Sequence, residues 1–443
     1  MSLLLHGGRV VTSLAPAWVV DGDLLIADGR IGAVGDAASD SSATRIDCGG
    51  CLVVPGNVCA HTHVYSALAR GMPFRLEPPA NFVEILQRVW WRLDRALDEG
   101  SVRASALVGG MEALLAGTTS LVDHHASPNA IDGSLDVIAD AFESLGLRSV
   151  LCYEVTDRDG PERAAAGVEE SRRFLAREPR PLVRGMVGAH ASFTLSEETL
   201  AACVELARSA DAGIHVHVAE DAADERDALA RFGTRVVQRL ADAGALDRRS
   251  LLAHCVHLDS SERELVCDAG ASIAHNPRSN MNNGVGRTPL ADLGERVALG
   301  TDGIGSDMFE ESRAGFFRFR EDTLAAPFDW PLAHLARGAE LAGELFGEPA
   351  LGTIAPGAPA DLAVLDYAAP APLTGDNLPG HWVFGMSSRV VRDVVVGGEV
   401  VVRDRRLTKV DQEELAAKAE VDARRLWDAM EELGPHPFQP EGG

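Results

Sequence analysis

Apolar, strand-like runs recur through the middle of the chain, and their spacing limits the fold more than any other feature. Eight of them end at His63, His125, Thr156, His190, His217, His254, His275 and Asp302. After the second run they follow one another about every thirty residues, and helical patterns such as residues 197–208 fill the gaps. Strands alternating with helices at this spacing are typical of a parallel (β/α)8 TIM barrel. We therefore predict an α/β fold with such a barrel over residues 55–355.

The sequence pattern at both ends of the chain is different and is typical of short strands separated by turns. Alternating apolar and polar runs occupy residues 3–53, and the same alternation returns at 360–403. Such runs between turn residues are typical of hairpins. Two strand-rich ends around a different middle predict a small β-sandwich domain formed by both termini, residues 1–54 and 356–410. The last residues, 411–443, are predicted to form a helical tail.

Composition and charge exclude several classes of partner. The formal net charge of −25 argues against nucleic acid, because a phosphate backbone needs a basic surface. The chain has no apolar run of about eighteen residues and no signal-peptide layout, so we expect no membrane. Seven cysteines, an odd number, do not suggest a disulfide framework, and we expect a cytoplasmic protein.

Lysine is scarce, and this limits the chemistry available to the barrel. Among 41 lysines and arginines only Lys409 and Lys418 are lysines, and both lie near the C-terminus. A mechanism that needs a buried lysine in the body of the protein is therefore excluded.

Histidines gather at the ends of the strand-like runs. Ten of the fourteen do so: His61, His63, His124, His125, His190, His215, His217, His254, His257 and His275. Any one of them alone is better explained as a structural side chain. In a barrel, however, the carboxyl ends of the strands form the active site, so ten histidines at that rim predict metal-dependent chemistry.

Four of these runs carry candidate metal ligands, and the run that ends at His254 is one of them. His61 and His63 are two residues apart, so on a strand they share a face and can hold one ion. His217 ends the fifth run, and Asp302 is flanked by Thr301 and Gly303, where a packing role is improbable. Three imidazoles and a carboxylate leave a coordination position for water, as catalytic zinc requires.

At these positions the chain resembles the amidohydrolase superfamily, in the branch of deaminases and chlorohydrolases that act on nitrogen heterocycles. The motifs that carry the resemblance are His61-Thr62-His63, His217 with Glu220, His254-Cys255-Val256-His257, His275-Asn276-Pro277, Gly300-Thr301-Asp302-Gly303 and the segment 352–365. Three further segments, 90–98, 123–128 and 156–160, resemble the subgroup of aminohydrolases called SsnA.

The resemblance implies a set of roles. The metal ligands would be His61, His63, His217 and Asp302. Glu220 would shuttle a proton to the ring nitrogen and then to the leaving group, while His254 and Asp302 would orient and deprotonate the water. Members with two ions bridge them by a carboxylated lysine. Because the barrel has no lysine, we predict one divalent ion, zinc, with iron or manganese as alternatives.

A substrate-binding shell is predicted from residues at or just beyond the strand ends. Its members are His125, His190, Arg158, Arg278 and Trp91. An arginine such as Arg278 can bind an anionic or carbonyl group, although a surface salt bridge explains it equally well. The extra segment at 81–95 has room to cap the site, and its adjacent tryptophans can either stack on a heterocycle or simply pack.

The predicted function is hydrolytic removal of an exocyclic amine from a purine, pterin or pyrimidine, with release of ammonia. Two alternatives use the same site, namely ring opening of a cyclic amide and displacement of chloride from a heterocycle. A catalytically inactive scaffold is the alternative from another class, and intact ligand positions argue against it. We also expect a small-molecule substrate and a homo-oligomer.

Overall fold

A computed structural model describes residues 2–38, 40, 42–178 and 180–442 of the chain. Within these ranges it has eighteen β-strands and fourteen α-helices. The strands are β1 (Ser2–Leu14), β2 (Ala17–Ala27), β3 (Arg30–Val34), β4 (Thr44–Asp47), β5 (Leu52–Pro55), β6 (Asn57–Thr62), β7 (Thr118–His125), β8 (Arg148–Tyr153), β9 (Val183–Gly185), β10 (Val187–Ala191), β11 (Ile214–Val218), β12 (Leu251–His254), β13 (Ser272–His275), β14 (Val297–Leu299), β15 (Leu362–Leu365), β16 (Val391–Val396), β17 (Glu399–Arg403) and β18 (Arg406–Leu407). The helices are α1 (Phe82–Ile85), α2 (Trp91–Ala96), α3 (Glu99–Leu115), α4 (Ser134–Leu145), α5 (Pro161–Leu175), α6 (Glu197–Ser209), α7 (Ala222–Phe232), α8 (Val236–Asp242), α9 (Ser260–Ala269), α10 (Pro277–Asn283), α11 (Met308–Asp322), α12 (Trp330–Phe346), α13 (Leu378–Phe384) and α14 (Gln412–Glu431).

Strands β6 to β14 form a closed parallel barrel. They make two parallel sheets, β6-β7-β8-β9 and β10-β11-β12-β13-β14. The sheets join at both edges, where Val155 pairs with Ala189 and Thr62 pairs with Asp302. Only Met186 separates β9 from β10, and the two together act as one strand of an eight-stranded ring. The parallel barrel predicted from the sequence is therefore confirmed.

The positions at which the barrel strands end agree closely with the sequence pattern. Six of the eight end within one residue of the predicted position, and β8 and β14 end three residues earlier. The agreement has a simple cause. Because helices cover the outside of a parallel barrel, both faces of its strands are buried and the strands read as apolar runs.

Strand β11 shows how a barrel strand that is buried on both faces can also hold polar side chains. Ile214, Val216 and Val218 belong to the main apolar core of the protein. The alternating residues His215 and His217 are also buried, and their rings lie among those of other histidines. Because side chains alternate along a strand, the outer face builds the core while the inner face carries the imidazoles.

The two ends of the chain meet in one nine-stranded sheet. Its order is β18-β17-β16-β15-β5-β1-β2-β3, and β4 pairs with β1. The connection between the ends is the antiparallel pair of β5 and β15, in which Val54 lies opposite Ala363. The ends therefore share a sheet as predicted, while the two-layered sandwich and the exact domain boundaries stay predictions.

None of the described helices is both long enough and apolar enough to cross a bilayer.

A buried ion pair fastens the barrel to the terminal sheet. On β8, Arg148 donates from Nε to Asp361 Oδ2 at 2.6 Å and from Nη2 to Oδ1 at 3.0 Å. Asp361 directly precedes β15 and also accepts a hydrogen bond from the backbone of Gly397 at 2.7 Å. Both side chains are buried, so each depends on the other for its countercharge.

We predict that Arg148→Met lowers the free energy of unfolding by about 3–5 kcal/mol, because it leaves the Asp361 carboxylate buried without its countercharge. Urea unfolding followed by circular dichroism measures the loss. Arg208→Met is the matched control, since Arg208 pairs with Glu205 and both side chains are 70% exposed; its effect should stay below about 1 kcal/mol. Equal losses in the two variants would contradict the structural role of Arg148.

Candidate active site at the mouth of the barrel

Four side chains converge at the carboxyl end of the barrel. Their ligand atoms all lie within 4.8 Å of one another: His61, His63, His217 and Asp302. His63 Nε2 is 3.1 Å from His217 Nε2 and 3.1 Å from Asp302 Oδ1. His61 Nε2 lies 3.5 Å from the same carboxylate oxygen. The structure thus brings together the four residues that the sequence predicted as ligands.

Backbone hydrogen bonds beyond β14, the last strand of the barrel, hold Asp302 next to β6, the first strand. The amides of Thr301 and Asp302 both donate to the carbonyl of His61, at 2.8 and 3.0 Å. Asp302 adopts a left-handed conformation with φ of 53°, which is uncommon outside glycine. Gly303 allows the cap segment to approach closely, since a Cβ there would lie 2.3 Å from the Trp90 ring. The turn therefore needs a residue that tolerates a left-handed conformation at position 302 and glycine at position 303.

Each of the three imidazoles is held by its other ring nitrogen. Nδ1 of His63 bonds to the carbonyl of His124 at 2.5 Å, and Nδ1 of His217 bonds to the carbonyl of His190 at 2.8 Å. A carbonyl can only accept, so both Nδ1 atoms carry the proton. Nδ1 of His61 lies 2.9 Å from a ring nitrogen of His215. The three Nε2 atoms are therefore left to face the cluster, which is how protein imidazoles are oriented toward metals.

Burial and charge give the cluster the properties of a cation site. Burial lowers the pKa of His61 to about 3 and holds that of His217 well below its usual range. Burial alone would raise the pKa of Asp302, but the adjacent imidazoles of His61 and His63 outweigh it and keep the carboxylate ionised. Burial also opposes protonation of His63, yet the hydrogen bond and charge of Asp302 raise its pKa to about 9. A carboxylate that holds a proton on a buried imidazole marks a place that attracts positive charge.

Glu220 and His254 lie beside the cluster. The ligand atoms of Glu220, His254 and Asp302 lie within 4.8 Å of one another, and Glu220 Oε2 is 3.6 Å from His254 Nε2. Glu220 lies beyond the end of β11, outside any helix, and its side chain is 11% exposed. Burial raises the pKa of Glu220, so it can carry a proton near neutral pH.

Helix α10 supplies partners that the sequence analysis missed. Ser279 donates to Asp302, and Nδ2 of Asn283 donates to Glu220 Oε1 at 3.2 Å. Asn280 Oδ1 lies 2.8 Å from Nδ1 of His254. Asn280 and Asn283 lie one and four positions after Ser279, on a short helix that begins two residues after the end of β13. Three small polar residues at that spacing after a strand end are the signal that could have revealed them.

A pocket opens over the cluster. One part of its wall is aromatic: Tyr65, Phe82, Trp90, Trp91 and Phe193. Another part is polar: Glu154, His190, Glu220, Asp221, Asp224 and Asn283. The segment expected to cap the site contributes Phe82, Trp90 and Trp91, together with Leu86 from the π-helical turn Leu86–Trp90.

Only some of the residues predicted to bind the substrate line the pocket. His190 and Trp91 line the pocket, whereas His125, Arg158 and Arg278 do not. The Arg158 side chain is 1% exposed and pairs with buried carboxylates, and Arg278 pairs with Glu310 and Glu311. Nε2 of His125 bonds to Ser127 Oγ at 2.9 Å. Arginines already paired with buried carboxylates have few donors left for a substrate, so of the predicted shell only His190 and Trp91 lie at the pocket.

Glu154 is a pocket residue that the sequence analysis did not select. It follows β8 directly and accepts a hydrogen bond from Arg158 Nη1 at 2.8 Å. Burial would raise the pKa of Glu154, but the neighbouring His190 ring, the charge of Arg158 and a hydrogen bond with His124 hold it well below the usual range. An ionised carboxylate therefore faces the pocket close to the imidazole cluster.

Comparisons with known proteins agree with this geometry. The model of a family described as the amidohydrolase family matches residues 52–401. A 5-methylthioadenosine/S-adenosylhomocysteine deaminase of Nitratidesulfovibrio vulgaris is 34% identical, over 98% of this chain and 98% of its own length. A 5′-deoxyadenosine deaminase of Methanosarcina mazei is 30% identical, over 91% and 93%. In fold, the chain is similar to an adenosine deaminase of Xanthomonas campestris with bound zinc, with a TM-score of 0.82, 24% identity and coverage of 97% and 99%.

Proposed function

The chain belongs to the amidohydrolase family, and from this premise we propose that it is a metal-dependent aminohydrolase that removes an amino group from a nitrogen heterocycle. It is a hydrolase of carbon–nitrogen bonds other than peptide bonds. In the proposed reaction, water adds to the ring carbon that bears the amino group, the bond to that nitrogen breaks, and ammonia leaves. The ring keeps the oxygen as an oxo group.

One observation carries the proposal. Three imidazoles and a carboxylate face one another at the base of a pocket that also contains Glu220 and is flanked by His254. This arrangement provides a place for a cation, a proton donor and a proton acceptor within reach of one bound molecule. Relatives named 5-methylthioadenosine/S-adenosylhomocysteine deaminase and 5′-deoxyadenosine deaminase support the same reaction class.

The residues of the cluster fit a divalent cation. His61 Nε2 is buried and has no hydrogen-bond partner among the described residues. The Nε2 atoms of His63 and His217 are only 3.1 Å apart, although their Nδ1 atoms already carry the ring protons. Nitrogen lone pairs that converge in this way, next to a carboxylate, suit zinc, with iron or manganese as alternatives. When bound, such an ion makes water acidic enough to act as a nucleophile near neutral pH.

We propose a single ion. The barrel contains no lysine to bridge a pair of ions, since Lys409 and Lys418 lie outside it. A second group of possible ligands adds His124 and Glu154, but it reuses His63 and His217. The two groups would therefore compete for the same two imidazoles.

Two side chains of the protein, His254 and Glu220, transfer the protons of the proposed reaction. Nδ1 of His254 faces the Asn280 side chain, which leaves Nε2 free to accept a proton from the attacking water. Glu220 donates a proton to the ring nitrogen, then takes up the second proton from the added oxygen and delivers it to the departing amine. The proton held by His254 returns to Glu220 before the next turnover. The distance of 3.6 Å between Glu220 Oε2 and His254 Nε2 allows both to act on one water molecule.

The substrate class extends over purines, pterins and pyrimidines. Ring opening of a cyclic amide and displacement of chloride would use the same nucleophile, and no contact in the pocket favours either of them over deamination. An assay of ammonia release across the three ring types distinguishes the reactions, because ring opening releases no ammonia and dechlorination releases chloride.

For the molecule as a whole we propose three further properties. The terminal sheet closes into a sandwich around an apolar cluster that includes Leu5, Val53 and Leu362, which both ends of the chain supply. All seven cysteines are free, which supports a reducing, cytoplasmic location. Exposed aromatic rings such as Phe384, which is 65% exposed, support self-association.

Replacing His217 by alanine should remove the metal, because the site loses one of three imidazoles. We expect about one zinc ion per chain in the unmodified protein and almost none in His217→Ala, as measured by elemental analysis. His6→Ala is the control, since His6 is half exposed and pairs with Asp23 on the terminal sheet. Retention of the ion in His217→Ala, or two tightly bound ions in the unmodified protein, would contradict the proposed site.

Replacing Glu220 by glutamine should preserve fold and metal while kcat falls by about 10⁴-fold or more. The amide keeps the shape of the side chain but cannot exchange the proton, which is needed twice in each turnover. Ammonia release on a reacting heterocycle gives the rate, with Glu205→Gln as a surface control. A near-normal kcat in Glu220→Gln would assign the proton transfer to another group.

Replacing His254 by asparagine should slow turnover by about 10²-fold or more and leave the metal in place, because His254 acts on the water and not on the ion. Rate and metal content are measured on the same preparation. Loss of the ion from His254→Asn would show that this histidine is a ligand.

A further inference from the structure

The pocket offers hydrogen-bond acceptors next to the cluster. Oε1 of Glu154 and Nε2 of His190 lie 3.9 Å apart, and both residues line the pocket. Glu154 Oε1 already accepts a hydrogen bond from Arg158, but a carboxylate can accept about four bonds in all. Two neighbouring groups therefore remain able to accept hydrogen bonds from a bound molecule.

The hydrogen bonds around His190 fix which of its nitrogens is the acceptor. The hydroxyl of Thr194 donates to the carbonyl of Ala191 at 3.1 Å. Its oxygen must then accept the hydrogen bond from Nδ1 of His190, at 2.6 Å. Nδ1 carries the proton, so Nε2 of the neutral ring presents a lone pair to the pocket.

The charge of the pocket wall also favours a ligand that donates hydrogen bonds. Five of its residues are acidic: Glu154, Glu220, Asp221, Asp224 and Asp302. Among the described residues that form the wall, none is an arginine or a lysine. The guanidinium of Arg158 lies behind Glu154, is 1% exposed and also pairs with Asp94 and Asp159. Apart from the cation that the cluster would hold, a negative group on the substrate would find no countercharge at this wall.

The acceptor wall is held rigidly. The Trp91 ring packs edge-on against His190 with centroids 6.1 Å apart, and the guanidinium of Arg158 lies 5.5 Å from the same indole. Phe438, from the chain after α14, packs on Trp91 at 5.7 Å and on Phe193 at 6.3 Å. Because the acceptor groups of Glu154 and His190 cannot rotate away from a bound molecule, this wall discriminates among ligands.

We propose that the substrate is an uncharged or cationic amino-heterocycle that presents N–H donors to Glu154 and His190 and carries no anionic group. This inference rests on the proposed function and specifies its substrate. A second amino group, or a ring N–H beside it, would satisfy both acceptors. Heterocycles with a carboxylate or a phosphate are excluded.

Two pairs of probes test the inference on the full-length metal-loaded protein. The first pair, 6-hydroxymethylpterin and pterin-6-carboxylate, has nearly equal size and differs in charge. The second pair, 2,6-diaminopurine and adenine, differs by one amino group. Calorimetric titration gives the affinity of each probe, and ammonia release is measured separately.

We expect the carboxylate to bind about 100-fold more weakly than the alcohol, as an unpaired buried charge should. The diamino compound should bind about tenfold more tightly than adenine, as one added hydrogen bond to a charged acceptor should. Equal affinities within both pairs, or no binding of any probe, overturn the inference. The expected affinities without any ammonia release would instead overturn the proposed function and leave the inference standing.

Variants of the two acceptors identify their roles. Glu154→Gln should reduce the discrimination against the carboxylate about tenfold, because it removes the negative charge. His190→Phe keeps a flat ring but no lone pair, so it should abolish the preference for 2,6-diaminopurine even where Glu154→Gln fails to fold. Glu205→Gln, an exposed glutamate, should change neither ratio. Unchanged ratios in His190→Phe and in a folded Glu154→Gln would overturn the assignment.

Discussion

The hydrogen bonds that close the barrel onto His61 are the constraint on which the site depends. The amides of Thr301 and Asp302 both reach the His61 carbonyl, so the last strand end is fixed to the first. That contact holds Asp302 in a left-handed conformation with its carboxylate against His61 and His63. Because a closed ring of strands has no free edge, the geometry of the cluster is set by the whole barrel rather than by one loop.

The density of histidines at the rim follows from the need to satisfy buried polar groups. An imidazole inside a barrel has two nitrogens, and a ring that offers one of them to a cation needs a partner for the other. His61 finds this partner in His215, while His63 and His217 use backbone carbonyls of the neighbouring strand ends. Histidines thus have two roles here, since some face the cluster and others orient those that do.

Much of the fold was predictable because a barrel strand is short, apolar on both faces and repeated. The pairing of the two chain ends was predictable for a related reason, since alternating strands without a partner nearby must pair at a distance. The substrate shell was less accessible. In the sequence, Arg158 and Arg278 are candidates for substrate binding, and only the structure shows them paired with buried carboxylates. Asn280 and Asn283 were missed because the face of a short helix depends on where it docks.

The sequence by itself determined the barrel and the gathering of imidazoles at its rim, because strand alternation and the order of the repeats fix which residues share a face and an edge. The resemblance of its motifs to a known family singled out four of the side chains at that rim. Only the tertiary structure decided how these side chains are used. The acceptor role of His190 depends on Thr194, and the charge that Glu154 turns to the pocket depends on Arg158. Hydrogen bonds between separate loops set the protonation and direction of a side chain, and no local pattern in the sequence encodes them.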